Sequence, residues 1–162
     1  MSKPYLDPAD WYATLPAAYA SACVLLTDDD DRVLLVKPNY RPHWGIPGGI
    51  VEAAEPPHEC AMREIAEELG LVVQVGDLLV VDWAPPVGER PRAMLNFLFD
   101  GGVIPDPSRI RLQADELDAA EFLGWKEAES RLPSTTAARI PAARRARKSG
   151  RTVYLPADAS PV

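Results

Sequence analysis

The chain has 162 residues, a formal net charge of −7 at neutral pH, 47% hydrophobic residues and 25% charged residues. These values are typical of a single globular domain with a real core, and no apolar run reaches the roughly 18–20 residues of a membrane-spanning helix. The acidic balance argues against a nucleic-acid polymer as the main partner, but not against a small phosphate ester carried in by a cation.

Residues 1–5 lack the apolar core of a secretory signal. Cys23 and Cys60 lie in apolar contexts, and two cysteines make neither a disulfide framework nor a zinc site. We therefore expect a cytoplasmic protein, and a homodimer is left open.

The N-terminal part of the chain predicts a short helical arm over residues 1–15, followed by a β-hairpin. Asp7 can cap a helix that begins at Pro8, and we expect Trp11 and Tyr12 to pack against the domain. Residues 17–27 and 32–38 predict two strands. Four consecutive aspartates, residues 28–31, predict the tight turn between them, because they lack the spaced ligands and closing glutamate of a calcium loop.

A loop over residues 39–44 leads into a rigid turn that ends in Gly48 and Gly49. A glycine pair lets the backbone approach a ligand closely. We expect this pair, with Lys37 and Arg41, to contact the phosphates of a bound molecule. His43 is either a further phosphate contact or a surface residue of the loop.

The stretch that begins with Pro56 and Pro57 and stops at Gly70 predicts a helix of roughly three to four turns. At about 100° per residue, one face of this helix presents three carboxylates together, those of Glu64, Glu67 and Glu68. The opposite face is apolar and predicted to be buried: Met62, Ile65, Ala66 and Leu69.

Three carboxylates on one helix face repel each other, which destabilises the helix. Arg63 can pair with Glu67 four residues on, but one arginine does not neutralise three acids. A hard divalent cation prefers carboxylate oxygens and would compensate the charge. For an isolated helix, a simple solvated acidic face is the commoner explanation.

The second half of the chain predicts further strands and two helices. Strands are predicted at residues 72–75, 78–83, 92–99 and 120–125, and a short helix at 126–132. Ser134 is predicted to cap a final helix that Pro141 kinks or breaks. The end of that helix is basic, and a solvated face is expected for Arg139, Arg144, Arg145, Arg147, Lys148 and Arg151. From residue 152 the chain is expected to be extended or frayed.

The central stretch resembles the Nudix hydrolases. The family signature is Gly, five residues, Glu, seven residues, Arg-Glu, an apolar residue, any residue, Glu-Glu, any residue, Gly and an apolar residue. Every defined position is filled: Gly49, Glu55, Arg63, Glu64, Ile65, Glu67, Glu68, Gly70 and Leu71. From average composition such a match would arise by chance at a rate on the order of 10⁻⁷, so the resemblance outweighs the solvated-face explanation. Ala54 stands where a glycine often precedes the signature glutamate.

The resemblance implies a Nudix-type α/β/α sandwich, in which helices flank a mixed β-sheet. The order of the predicted elements independently favours such a sheet with helices packed on its faces. We assign residues 16–150 to this domain and residues 151–162 to a C-terminal tail.

The resemblance also implies a site that uses Mg²⁺ or Mn²⁺. By family pattern the metal ligands are Glu67, Glu68 and the Gly48 carbonyl, and Glu64 is a further ligand or the base that activates water. Arg63 would hold these carboxylates, and Glu55 would brace the loop or ligate a further metal. Family members often recruit another glutamate as base or ligand, for which Glu116 is the candidate and Glu121 and Glu52 are rivals.

The implied activity is hydrolysis of a pyrophosphate linkage in a nucleoside diphosphate joined to another group. Pro86 lies fifteen residues after Leu71, a distance that resembles a marker of ADP-ribose-cleaving members, but it also suits an ordinary turn. Tyr40, Trp83 and Phe97 could stack on a base or simply pack. The alternatives are a non-catalytic nucleotide-binding module and an isoprenyl-diphosphate isomerase, which would need a catalytic cysteine; Cys23 and Cys60 are expected to be poorly placed for that.

Overall fold

The structure, a computed structural model, describes residues 6–156. What was expected of residues 1–5 and 157–162 lies outside the described residues. The elements are, in chain order, α1 (Pro8–Ala13), β1 (Tyr19–Thr27), β2 (Val33–Pro38), β3 (Gly48–Ile50), α2 (Pro57–Leu69), β4 (Leu78–Ala84), β5 (Met94–Val103), β6 (Leu117–Leu123), α3 (Trp125–Arg131), α4 (Ser134–Ala137), α5 (Arg139–Ser149) and β7 (Val153–Leu155). A 3₁₀ turn, Pro107–Arg109, precedes β6.

The described strands form one mixed sheet in the order β6-β2-β1-β5-β4-β7, and β3 pairs with β1 beside this path. The pairs β1–β5 and β4–β7 are parallel, whereas the other pairs are antiparallel. The predicted mixed sheet is therefore confirmed.

Helices cover both faces of this sheet. Side chains alternate across a strand, so neighbouring residues of β1 enter different cores. Leu25 packs in a cluster with Trp125 of α3 and Ile140 of α5, whereas Val24 packs in a cluster with Ile65 of α2. This arrangement confirms the expected α/β/α sandwich.

The hairpin and the central helix form where the sequence predicted them. Thr27 pairs with Val33 across the hairpin, and Asp28 Oδ1 accepts hydrogen bonds from the N–H groups of Asp30 and Arg32. The central helix α2 ends at Gly70, whose φ of 64° is left-handed.

The buried face of α2 differs from the prediction, and Met62 is only partly buried. Ala66 is exposed and Glu68 is buried. The buried positions of this helix, Cys60, Ala61, Ile65, Glu68 and Leu69, form a stripe that is rotated toward the acidic side. A carboxylate thus takes part of the surface predicted to be apolar.

The strand predicted at residues 72–75 is wrong. Leu71 is buried and Val72 is 93% exposed, so burial alternates as it would in a strand. No ladder forms there, and the loop is held by Gly76 N–H, which donates to the Asp100 carbonyl at 2.7 Å. Alternation alone does not create a strand where no neighbouring strand offers hydrogen bonds.

Strand β5 runs further than predicted, because it continues through Gly101 to Val103. A Cβ on Gly101 would collide with Val24 and Leu26 of the adjacent strand. Glycine at this position therefore permits close packing of β5 on β1, beyond the predicted end of the strand at residue 99.

The C-terminal helices also differ from the prediction. The break falls at Ala138, Pro133 rather than Ser134 is the N-cap of α4, and Pro141 lies in the first turn of α5. The extended arm expected from residue 152 is confirmed up to Leu155, because β7 pairs with β4.

The basic residues of α5 are not all solvated, and two of them at opposite ends of the helix are paired. Arg139 is 9% exposed and pairs with Asp82. Arg147 is half-buried and donates to both carboxylate oxygens of Asp100. For these two residues the expected solvated face is wrong, because carboxylates on β4 and β5 lie opposite them.

The N-terminal helix α1 has Asp7 as its cap, as predicted. However, it buries no residue, and Trp11 and Tyr12 are 47% and 67% exposed. Their rings contact each other edge to face at 4.9 Å, so the expected packing against the domain is wrong. No helix within residues 6–156 has the length and apolar character needed to cross a membrane.

Candidate active site

Strand β3 brings the glycine turn against the acidic face of α2. Gly48 pairs with Cys23 of β1, and its N–H donates to Glu68 Oε2 at 2.8 Å. Gly48 has a φ of 139°, and a Cβ at this position would collide with the Ala22 carbonyl. Only glycine fits here without strain, and the result is direct contact between backbone and carboxylate.

Gly49 is constrained in a different way. Its Cβ would overlap the Glu64 carboxylate, and no backbone atom is among the nearest obstacles. We expect Gly49→Ala to displace this carboxylate while the fold persists, and to lower kcat/KM about 10²-fold, the usual effect of a misplaced reacting group. Steady-state kinetics measure the loss of kcat/KM, and thermal unfolding shows whether the fold persists.

Gly48→Ala is the matched comparison, because its Cβ meets backbone of β1. We expect this variant to lose stability as well as activity. Equal loss of stability in both variants would contradict the view that Gly49 only makes room for a functional carboxylate.

Arg63 joins three carboxylates. Its Nε donates to Glu55 Oε1 at 2.8 Å and its Nη2 to Glu55 Oε2 at 3.0 Å. Its Nη1 donates to Glu64 Oε1 at 2.9 Å and to Glu67 Oε2 at 3.1 Å. These contacts raise the pKa of Arg63 well above its ordinary value, with the hydrogen bonds to Glu55 as the largest cause.

Glu55 is occupied by this network. Hydrogen bonds from Arg63, with a further one from the N–H of Glu52, lower the pKa of Glu55 to about 2. The contacts link the loop before α2 to the helix itself. They match the bracing role that the family resemblance implied for Glu55.

Glu68 and Glu64 have raised pKa values. Burial is the largest cause for Glu68, and the charges of Glu64 and Glu116 add to it, so that its pKa rises to about 7 despite the Gly48 N–H. Burial also raises the pKa of Glu64, with further contributions from Glu67 and Glu116 and opposition from Arg63. When all are ionised, Glu55, Glu64, Glu67 and Glu68 carry more negative charge than the one arginine among them compensates, and burial disfavours that charge at Glu64 and Glu68.

These residues fit a hard divalent cation. Glu64, Glu67 and Glu68 supply carboxylate oxygens, and their excess charge would be relieved by a cation beside them. No three side chains of His, Cys, Asp or Glu within residues 6–156 form a ready-made cage. Such a cation would therefore also need backbone or water oxygens, as Mg²⁺ commonly does.

The other predicted site residues are placed unequally. Glu116 lies in the turn before β6, near enough for its charge to affect Glu64 and Glu68. Its rival Glu121 forms an ion pair with Arg131, and Glu52 is exposed beside Glu55.

Lys37 does not line a cavity near the glycine turn. Its Nζ donates to the carbonyls of Pro38 and Arg41, which holds the loop after β2. Arg41 and His43 do line the pocket beside the turn.

A pocket of about 390 Å³ lies next to Gly48 and Gly49. Its polar lining includes residues that the sequence analysis did not assign to a site: Ser21, Cys23, Asn96, Thr136 and Arg139. Asn96 interrupts an otherwise apolar strand, and this was the one sequence signal that could have revealed it.

Cys23 lines this pocket, and neither cysteine was assigned to a site from the sequence. Burial raises the pKa of Cys23 to about 11 and that of Cys60 to about 12. Both therefore remain neutral thiols near pH 7 and are poor nucleophiles.

Of the predicted stacking residues, only Tyr40 lines the pocket. Phe97 packs against the core under α2, and Trp83 and Pro86 lie outside the pocket lining. The Arg41 guanidinium lies over the Tyr40 ring, 5.3 Å from its centroid.

Comparison with known proteins places this site in a family. The family model of the NUDIX domain matches residues 18–145. An ADP-ribose pyrophosphatase from Methanocaldococcus jannaschii is 40% identical over 63 residues, which is 37% of either chain. Diphosphoinositol polyphosphate phosphohydrolase 2 from Rattus norvegicus is 41% identical over 61 residues, 36% of this chain and 34% of that one. The matched segments span about a third of these curated relatives.

The fold is shared more widely than the sequence. The crystal structure of the MutT protein from Methanosarcina mazei Go1 superposes with a TM-score of 0.69 at 20% identity, covering 83% of this chain and 98% of that one. The family match covers strands β1 to β6, the glycine turn and the whole acidic cluster. The chain therefore belongs to the NUDIX domain family.

Proposed function

We propose that this chain is a divalent-metal-dependent hydrolase that cleaves the pyrophosphate linkage of a nucleoside diphosphate joined to another moiety. The observation that carries this proposal is the cluster of Glu64, Glu67 and Glu68 beside a pocket large enough for a small ligand. Arg63 holds Glu64 and Glu67, and the Gly48 N–H of the glycine turn holds Glu68.

In this proposal Glu67, Glu68 and the Gly48 carbonyl would hold Mg²⁺ or Mn²⁺, which would supply charge neutralisation at the phosphate oxygens and activation of water. Glu64 would be a further ligand or the base. Glu64 as base, or Glu116 in its place, accepts a proton from water as the water oxygen bonds to phosphorus and the bridging P–O bond breaks, and the second phosphate leaves with the bridging oxygen. Arg63 and Glu55 position the carboxylates, and Arg41 contacts the phosphates at the mouth of the pocket.

The substrate class follows from the pocket rather than from the carboxylates. Two relatives of similar identity carry the names of an ADP-ribose pyrophosphatase and a diphosphoinositol polyphosphate phosphohydrolase. The matching segments therefore do not distinguish these substrates. Apolar walls from Trp44, Ile46 and Met94 beside buried polar groups favour a nucleoside as the second moiety.

The test is a screen of the purified protein with Mg²⁺, with Mn²⁺ and with a chelator. ADP-ribose, nucleotide sugars, dinucleoside polyphosphates and nucleoside triphosphates are the substrates, and chromatography identifies the products. We expect at least one to be cleaved at the pyrophosphate linkage, and only with metal present.

Two other outcomes would overturn the proposal. Tight nucleotide binding without turnover would identify a binding module, and conversion of isopentenyl diphosphate without phosphate release would identify an isomerase. The complete carboxylate cluster speaks against the first, and the high pKa values of both thiols speak against the second.

A further inference from the structure

Five polar residues of the pocket lining are called the floor here: Ser21, Cys23, Asn96, Thr136 and Arg139. Arg139 is a buried arginine with unused hydrogen-bond donors. Arg139 is 9% exposed, and its Nε donates to Asp82 Oδ2 at 2.7 Å. Its Nη atoms form no hydrogen bond to another residue between 6 and 156. Among residues 6–156, every fully buried side-chain nitrogen or oxygen has a hydrogen-bond partner. Because the Nη atoms of Arg139 have none, they are not fully buried and remain accessible. Because Arg139 lines the pocket, they are available to a molecule inside it.

The neighbouring polar groups are already engaged. The Asn96 amide nitrogen donates to the carbonyls of Asp82 and Met94, and its Oδ1 accepts from Ser21 Oγ at 2.7 Å. Thr136 Oγ1 donates to the Pro133 carbonyl. The two Nη atoms of Arg139 are therefore the strong donors of the floor that have no partner within residues 6–156. The ion pair with Asp82 fixes the position of the guanidinium.

The charge at the floor favours a neutral acceptor. Asp82 pairs with Arg139 at 2.7 Å and compensates its charge, so the guanidinium offers hydrogen-bond donors without a net positive charge. A phosphate gains less attraction at such a pair than at an unpaired cation. Arg41 is exposed and has no carboxylate partner within residues 6–156, so it suits a phosphate better.

We propose that Arg139 is a specificity-determining residue that reads the acceptor edge of a nucleobase, and that the pocket prefers a 6-oxopurine. This inference rests on the proposed function. A guanidinium fork matches two acceptors side by side, such as the O6 and N7 atoms of a 6-oxopurine. Adenine presents an amino donor at position 6, which would face the donors of Arg139.

The test compares inosine 5′-diphosphate with adenosine 5′-diphosphate, which differ in the oxo or amino group at position 6 and in the proton that N1 carries in hypoxanthine, and which share the N7 acceptor. Binding to the intact protein is measured by calorimetry with Mg²⁺ present. We expect the inosine nucleotide to bind about 10-fold more tightly or better, the discrimination usual for one bidentate arginine contact. In Arg139→Lys this ratio should fall close to one, while Arg145→Lys on the exposed side of the same helix should leave it unchanged.

A second variant guards against misfolding of Arg139→Lys. Asp82→Leu combined with Arg139→Met removes the guanidinium without leaving a buried charge, and it should also abolish the preference. Equal affinities in the unmodified protein, absence of binding of either nucleotide, or a ratio that survives both changes would overturn the inference. If Arg139→Lys weakened the binding of inorganic pyrophosphate and of both nucleotides to the same extent, Arg139 would instead contact a phosphate. In each of these cases the hydrolysis screen with and without metal still tests the proposed function independently.

Discussion

Glu68→Gln is expected to lower kcat about 10³-fold or more. The substitution weakens the binding of a cation whose charge stabilises the transition state by several kcal/mol. The glutamine keeps the volume of Glu68 and can still accept a hydrogen bond from Gly48 N–H. Kinetics at saturating Mg²⁺ measure the effect. Glu59→Gln, on the exposed first turn of the same helix, is the control and should retain activity.

The same variant is expected to be more stable than the unmodified protein when a chelator is present. The pKa of Glu68 is raised to about 7 in the folded protein by burial and by Glu64 and Glu116, against an unfolded value of about 4.3. Between these values the folded state binds more protons, so the free energy of unfolding decreases as pH rises. The gain from Glu68→Gln should therefore appear at pH 8, at about 1–3 kcal/mol, and vanish below about pH 4.

Mg²⁺ should reverse this order. An ion that binds the folded state stabilises the unmodified protein by mass action, and Glu68→Gln should lose most of that gain. Thermal unfolding with and without Mg²⁺ measures it. Retained activity together with an unchanged response to Mg²⁺ would contradict the assignment of Glu68 as a ligand.

Asp82→Ala is expected to lower the free energy of unfolding by about 3 kcal/mol or more, because it leaves the buried charge of Arg139 without its carboxylate. Asp82 and Arg139 are 8% and 9% exposed, so water compensates little of the loss. Denaturant unfolding measures the effect. Asp118→Ala, which removes an exposed carboxylate from β6, should change stability by less than about 0.5 kcal/mol.

The paired replacement Asp82→Leu with Arg139→Met separates stability from recognition. Apolar residues of similar size can replace a buried ion pair at little or no loss of stability. We expect this double variant to unfold close to the unmodified protein while lacking the nucleobase preference. A double variant as unstable as Asp82→Ala would show that the pair supports the fold through more than its charge.

The family signature, from Gly49 to Leu71, was readable from the sequence because its geometry is local. Helical spacing places Glu64, Glu67 and Glu68 together, and the glycine stop at Gly70 depends only on its own backbone. The same local rules failed for residues 72–75, where burial alternates without a partner strand. They also failed for Gly101, where the packing of β5 on β1 matters more than the turn propensity of glycine.

The pocket was not readable in this way, because its residues are far apart in the chain. Ser21 and Asn96 are separated by 75 residues and Asp82 and Arg139 by 57. Their contacts exist only because β1 pairs with β5, β5 pairs with β4, and α5 packs on β4.

The sequence by itself thus determined the family resemblance and the acidic helix face, since each depends on spacing over a few turns of chain. The sandwich fold followed from that resemblance and from the order of the predicted elements. Only the tertiary structure decided that Glu68 is buried against Gly48 N–H and that Arg139 is fixed by Asp82 beside the pocket. Burial and ion pairing depend on which strands and helices become neighbours, and short-range periodicity carries no information about that.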